Sequence, residues 1–204
     1  MVATGTLFVI AAPSGTGKTT LVKALTEKLP NIQVSISHTT RQKRPNEVNH
    51  AHYHFVDQDT FQNMIAHNDF LEYATIFDQH YGTSKTWVEQ TLEKGCDVIL
   101  EIDWQGYQQI KRLMPQSIGI FILPPSLQDL KNRLSSRKQD HAHVIQERLD
   151  DAKKAASHAN EFNYIVVNDD FSHAISDLTH IIKASRLTLS RQTIQLVELI
   201  KELT

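Results

Sequence analysis

The chain has one cysteine, Cys96, in 204 residues, which excludes an internal disulfide. It lies in Gly95-Cys96-Asp97-Val98-Ile99-Leu100, which reads as the start of a buried strand, so the thiol is expected to serve packing. Long hydrophobic runs are missing too: none approaches the ~20 residues that a membrane-crossing helix needs. Positive charge is not in excess. Lys and Arg number 21 against 23 Asp and Glu, a formal net charge of −2. That balance argues against nucleic acid or a membrane surface as partner and leaves room for a local basic pocket. Met1-Val2-Ala3-Thr4-Gly5 carries no basic residue, and the apolar run behind it is broken by Pro13 and Gly15. No signal peptide is expected, and the cytoplasm is the default address. There is no internal repeat, low-complexity tract or evident linker. The length suits one domain with a sizeable core and small subdomains.

Apolar runs and helical periodicities alternate along the chain. Leu7 to Ala12 reads as a buried strand closed by Pro13 and glycine, and a helix follows from Lys18 to about Leu29 with Leu21, Val22, Leu25 and Leu29 on one face. Val34-Ser35-Ile36-Ser37 reads as a second strand. From His38 to about Gln90 the pattern turns polar and irregular, with a short helix at Thr60 to His67, and reads as an inserted subdomain. A helix N-capped by Ser84 ends at Gly95. Asp97 to Ile102 is a strand followed by a helix to about Leu113; Ile118 to Leu123 is another strand. A helix from Ser126 to about Ser136, the polar stretch Arg137-Lys138-Gln139-Asp140 and a helix ending near His158 come next. Tyr164 to Val167 is the last strand, and one long helical segment takes the rest. Such alternation predicts an α/β fold with a mainly parallel sheet, whose ligands bind beyond the carboxyl ends of the strands.

Ala12-Pro13-Ser14-Gly15-Thr16-Gly17-Lys18-Thr19 follows a strand and opens a helix, as a phosphate-binding P-loop does, with Ala12 where the strict pattern has glycine. Gly15 and Gly17 let successive N–H groups face one anion, and the helix N-terminus adds its positive dipole end. Lys18 suits the β- and γ-phosphates, and the Thr19 hydroxyl suits Mg²⁺. The motif specifies a nucleoside triphosphate and leaves the reaction open.

Further along, Ser37-His38-Thr39-Thr40-Arg41-Gln42-Lys43-Arg44-Pro45-Asn46-Glu47 sets two arginines three residues apart beside hydroxyl groups. Planar guanidinium forks suit a monophosphate dianion, and the same stretch taken alone also reads as a solvated basic turn. With Val48 to Phe55, this segment resembles the signature of guanylate kinases. Phe70-Leu71-Glu72-Tyr73-Ala74, Tyr81-Gly82-Thr83-Ser84, Ile102-Asp103-Trp104-Gln105-Gly106, Ile122 to Ser126 and Ile165 to Asp170 also look like blocks of that family, in its order, over almost the whole chain.

The resemblance implies a P-loop nucleoside monophosphate kinase fold: a core at 1–37, 91–125 and 160–204, a GMP-binding subdomain at about 38–90 and a short lid region at about 126–159. It implies ATP and GMP as substrates, with dGMP as a further acceptor, and Mg²⁺ as the cofactor. ATP would lie on residues Ala12 to Thr20 and near Asn168. Arg41, Arg44, Tyr53 and Tyr81 would hold the GMP phosphate. Ser37, Glu72, Thr83 and Asp103 would read guanine or support its pocket; a carboxylate such as Glu72 accepts from guanine N1–H and N2–H₂ together. Lys18, Arg41 and the lid arginines Arg137 and Arg148 would carry catalysis, with Arg133 beside them. Thr19, with Glu101 or Asp103 acting through water, would serve the metal; the family more often has Asp where Glu101 stands.

Asn46, His50 and Lys138 replace glycines usual in the family, which predicts altered loop geometry and closing rates with function retained. His50, His52 and His54 alternate and are expected to form one solvated polar face of a strand. Ile175, Leu178, Ile181 and Ile182 are expected in the core. Ile194, Val197, Leu199 and Ile200 suit either the core or a second copy of the chain in a homo-oligomer. Three rival readings stand beside the kinase: a phosphopeptide-binding scaffold module, a ribose bisphosphate kinase and a different nucleoside monophosphate kinase. The complete P-loop argues against the first, and the set Ser37, Glu72 and Thr83 against the other two.

Overall fold

The computed structural model describes residues 3–76, 78–136 and 142–204. In chain order the elements are strand β1 (Leu7–Ala11), helix α1 (Lys18–Lys28), strands β2 (Ile32–Val34), β3 (His38–Thr39) and β4 (His54–Phe55), helix α2 (Gln58–Ala66), strands β5 (Phe70–Ile76) and β6 (Gln79–Ser84), and helix α3 (Lys85–Glu93). Strand β7 (Asp97–Leu100), helix α4 (Trp104–Leu113), strand β8 (Ile118–Leu123), helices α5 (Leu127–Ser136) and α6 (Ala142–Ala156), strand β9 (Tyr164–Val167) and helices α7 (Phe171–Arg186), α8 (Leu189–Gln195) and α9 (Val197–Leu203) complete the chain.

A five-stranded parallel sheet in the order β2-β7-β1-β8-β9 forms the centre. Strand β1 lies in its middle and is buried on both faces. The two-residue period of a strand sends Phe8 and Ile10 to one side, against Leu21 and Leu25 of α1 and Leu178 and Ile182 of α7. Leu7 and Val9 go to the other side, against Val88 and Leu92 of α3 and Tyr107 and Ile110 of α4. A smaller four-stranded sheet, β4-β3-β6-β5, is built from the segment between β2 and α3.

Local chemistry explains most element ends. Asp57 caps α2 and Ser84 caps α3, each accepting a backbone N–H of the first turn. Asp170 does the same for α7. Several boundaries differ from the sequence expectations. Strand β2 starts early, at Ile32, because Asn31 turns the chain with φ 57° and puts Ile32 into register with Asp97. Strand β7 stops at Leu100, because Asp103 is the N-cap of α4 and accepts the Gly106 N–H at 3.0 Å. Glu101 and Asp103 therefore do not share a strand face. The C-terminal segment is three helices, with breaks at Leu187–Thr188 and at Leu196. Ile175, Leu178 and Ile182 join the core and Ile181 packs against it, whereas α8 and α9 bury no residue.

A buried acid ties α8 to the sheet. Asp97 is 0% exposed and accepts from Thr6 N–H at 2.8 Å, Arg186 Nε at 2.7 Å and Arg191 Nη1 at 2.7 Å. Removing the acid leaves two guanidinium groups facing each other in a partly desolvated site. Asp97→Ala should lower the unfolding free energy by about 3–5 kcal/mol, read as a lower urea midpoint at unchanged slope. Arg191→Ala should cost less, since Arg186 stays paired.

Candidate active site

The carboxyl end of β1 runs into the P-loop. Gly15 and Gly17 hold φ of 89° and 95°, angles that side chains rarely adopt, so the chain wraps back on itself between Pro13 and Lys18. The Thr16 hydroxyl is buried and donates to the Pro13 carbonyl at 2.8 Å, which holds the loop closed from inside. Helix α1 begins at Lys18 with Gly17 as N-cap and no side-chain cap. Its first N–H groups face the cleft as an anion site.

Lys18 Nζ reaches the Ile102 carbonyl at 3.4 Å. Burial lowers its pKa, opposed by the charges of Glu101 and Asp103. The Thr19 hydroxyl donates to Glu101 Oε2 at 3.0 Å. Both Asp103 oxygens are engaged, one with Gly106 N–H and the other with Gln105 Nε2 at 3.0 Å. Glu101 is thus the acid beside Thr19, and Asp103 is fixed as a helix cap on the pocket wall.

Across the cleft, Arg41 forms a bidentate pair with Glu47, Nη2 to Oε1 at 2.7 Å and Nη1 to Oε2 at 3.0 Å. Glu47 Oε2 also accepts the Arg44 N–H at 2.8 Å. The hydrogen bond to Glu47 raises the Arg41 pKa, and the same bond lowers that of Glu47. The guanidinium carbon of Arg41 lies 5.4 Å from the Tyr53 ring centre and 5.7 Å from that of Phe55, and Tyr53 packs on Tyr81 with ring centres 5.9 Å apart. These contacts pre-set a cationic fork against the Tyr53 and Phe55 rings. Sequence reasoning gave Glu47 no role. Its signal was present: it is the one acid between Arg41 and Val56.

Glu72 is buried on β5 and accepts the Thr83 hydroxyl at 2.5 Å from the paired strand β6. Gly106 makes the space for it: a Cβ there would stand 2.6 Å from Glu72 Oε2. Thr83 lies behind Glu72, not on the cleft surface. A single cleft of about 920 Å³ joins these parts, lined by residues 12–20, Ser37, Arg41, Arg44, Tyr53, Glu72, Tyr81, Glu101, Asp103 and, from α6, Arg148.

The remaining residues singled out from the sequence take other places. Asn168 does not line this cleft; its amide donates to the Thr16 carbonyl at 2.7 Å, so it braces the P-loop from behind. Arg133 does likewise, donating to Thr16 O at 3.2 Å and Asn168 O at 3.0 Å. Arg137 and Lys138 lie outside the described residues. The histidines are not one strand face either. His50 turns the loop with φ 64°, as the glycine usual there would, while Asn46 is not left-handed. His52 bonds Val48 N–H, and His50 bonds His54.

A family model described as guanylate kinase matches residues 4–185. A guanylate kinase of Pseudomonas fluorescens (strain Pf0-1) is 52% identical over 200 residues, covering 98% of this chain and 97% of the relative. One from Alcanivorax borkumensis is 54% identical over 188 residues, covering 92% and 91%. The crystal structure of guanylate kinase from Anaplasma phagocytophilum superposes with a TM-score of 0.78 at 29% identity, over 93% of this chain and 90% of that one.

Burial is the largest influence on Glu72 and pushes its pKa up to about 7; the Thr83 bond works against this and Asp103 adds to it. A carboxyl raised in the folded state binds more protons there than in the unfolded chain between about pH 4.5 and 7. Its contribution is therefore favourable at low pH and is lost as pH rises through 7. Glu72→Gln cannot ionise, so its stability relative to the parent should improve by about 2–3 kcal/mol between pH 4.5 and 8. Urea unfolding at the two pH values checks this, and equal differences at both would contradict it.

Proposed function

The chain belongs to the guanylate kinase family, nucleoside monophosphate kinases that transfer the γ-phosphoryl group of ATP to GMP, and on that premise we propose how its own residues divide the work. ATP lies on residues 12–20, with its phosphates on the loop N–H groups and Lys18. GMP lies opposite, with its phosphate on Arg41, Arg44, Tyr53 and Tyr81 and its base against Glu72, Ser37 and Asp103. The acceptor subdomain spans about 38–90 and the lid about 126–159, around a core of the remaining segments.

The reaction is in-line transfer. A GMP phosphate oxygen forms a bond to the γ-phosphorus as the bond to the β,γ-bridging oxygen breaks, leaving ADP and GDP. The acceptor is already an anion and needs no general base. Catalysis comes from positioning and from charge neutralisation by Lys18, Arg41, Arg148 and Arg137. The observation that supports this most is the single cleft in which the P-loop faces the Arg41 fork and the buried Glu72. Glu72 reads guanine because N1–H and N2–H₂ donate to one carboxylate; adenine offers neither at those positions and leaves the acid unpaired. The same base and phosphate make dGMP a second acceptor.

Magnesium takes hard oxygen ligands, and the Thr19 hydroxyl beside the Glu101 carboxylate is such a set. These residues fit the ion, which when bound neutralises phosphate charge. Glu101 in place of the usual aspartate keeps the charge on a longer arm that already reaches Thr19. The protein works in the cytoplasm, without nucleic acid as a partner.

An ADP-release assay with Mg-ATP and GMP, dGMP, AMP, UMP or CMP tests the reading. Turnover is expected with GMP and dGMP only and should stop on chelation by EDTA. Glu72→Gln should lower kcat/KM for GMP on the order of 10²-fold and narrow the gap to AMP. Equal turnover with AMP in the parent protein would remove the base-reading role of Glu72, and no turnover with any nucleotide would remove the kinase reading.

A further inference from the structure

Three imidazoles pack beside the acceptor cleft. The ring of His38, on β3, lies 4.5 Å from that of His54, on β4, with 28° between planes, and the His50 ring lies 5.0 Å from His54 on its other side. His50 Nδ1 and His54 Nδ1 are 2.7 Å apart. One of these nitrogens must carry a proton and the other a lone pair.

The neighbours settle which. Asn49 Oδ1 accepts the Phe55 N–H at 2.9 Å, so the Asn49 amide turns its Nδ2 toward His50 Nε2, 3.1 Å away. That nitrogen is therefore an acceptor, and the single proton of His50 sits on Nδ1 and is donated to His54 Nδ1. Neither ring accepts a further proton at its bonded nitrogen without setting two donors face to face. On the far side of the loop, His52 Nδ1 accepts the Val48 N–H at 2.9 Å under the same constraint.

The pair flanks Tyr53. The His50 N–H donates to the Tyr53 carbonyl at 2.8 Å, and His54 follows Tyr53 directly and donates its own N–H to Ser37 O at 2.9 Å. We propose that His50 and His54 are positioning residues that hold the Tyr53 loop against the acceptor site only while both imidazoles are neutral, so that affinity for GMP falls when acidification goes below the ordinary imidazole range. This rests on the reading of Tyr53 as a ligand of the acceptor phosphate.

The surroundings favour the neutral form. His54 has its pKa lowered by burial and then by His50. His38 is lowered to about 4 by burial, then by His54 and His50, with only Asp69, from the turn before β5, acting the other way. His38 Nδ1 has no hydrogen-bond partner among the described residues, so nothing there stabilises its charge. For groups lowered in the fold, stability is present above the unfolded pKa near 6.5 and is lost as pH falls toward 4.

The test compares the KM for GMP of the parent protein and His50→Gly from pH 7.5 to 4.5. Glycine keeps the left-handed angle and removes the ring; His50→Asn keeps a residue tolerant of that angle. The acceptor phosphate itself titrates near pH 6, so the ratio of variant to parent isolates the pair. At pH 7.5 both variants should show a KM for GMP about threefold higher, the loss of one hydrogen bond, with kcat within about twofold. At pH 4.5 the ratio should approach one. Nitrogen-15 spectra of the parent at pH 7.5 should show His50 protonated on Nδ1. A ratio that does not change with pH, or His50 protonated on Nε2, would overturn the proposal. Tyr53→Phe, run alongside, should raise the KM for GMP at every pH; no effect there would instead remove the reading of Tyr53 itself.

Discussion

The backbone turn between Pro13 and Lys18 is the constraint about which the molecule is organised. Gly15 and Gly17 hold left-handed angles, and helix α1 starts without a side-chain cap, so its N–H groups need an outside anion. A loop of this kind is accurate only if its base is rigid. Strand β1 supplies that base, being central in the sheet and buried on both faces. Asn168 and Arg133 add a second support, both bonded to the Thr16 carbonyl from behind. A Cβ on Gly17 would stand 2.8 Å from the Asn168 amide, so the tight turn and its brace require each other.

The acceptor side uses a different device. Its charges are paired within the protein: Arg41 with Glu47, and Glu72 with the Thr83 hydroxyl. Pairing holds the Arg41 fork in one orientation beside Tyr53 and Phe55, which under the proposed function lowers the ordering cost of binding a phosphate. Burial of Glu72 has the opposite sense, since it makes ionisation of the carboxyl costly. Under the proposed function, base choice and the arginine fork therefore rest on one small sheet, β4-β3-β6-β5.

Much of this was legible along the chain because it is local. The strand-P-loop-helix unit, the Ser84 cap and the alternation of strands and helices rest on contacts within a few residues, and they appear at or near the expected places. Errors fall where a local signal was missing or was overridden. Asn31 takes a left-handed angle without glycine, so β2 starts early. The strand was expected to run to Ile102, yet it stops at Leu100 because Asp103 caps α4. His50, His52 and His54 have the spacing of a strand face, but the turn at His50 breaks the period and lets His50 meet His54.

By itself the sequence determined the fold class and the phosphate loop, because periodicity and glycine placement act over short stretches of chain, whereas the acceptor-side residues were legible only through the resemblance to guanylate kinases. Tertiary structure alone decided what each polar group bonds. Asn168 meets Thr16 across 152 residues, and Arg191 meets Asp97 across 94. Nothing in the spacing of such pairs announces a contact. A hydrogen bond needs its partners within about 3 Å, a condition that only the closed chain satisfies. For that reason the sequence did not show Asn168 bracing the P-loop or Glu47 pairing with Arg41.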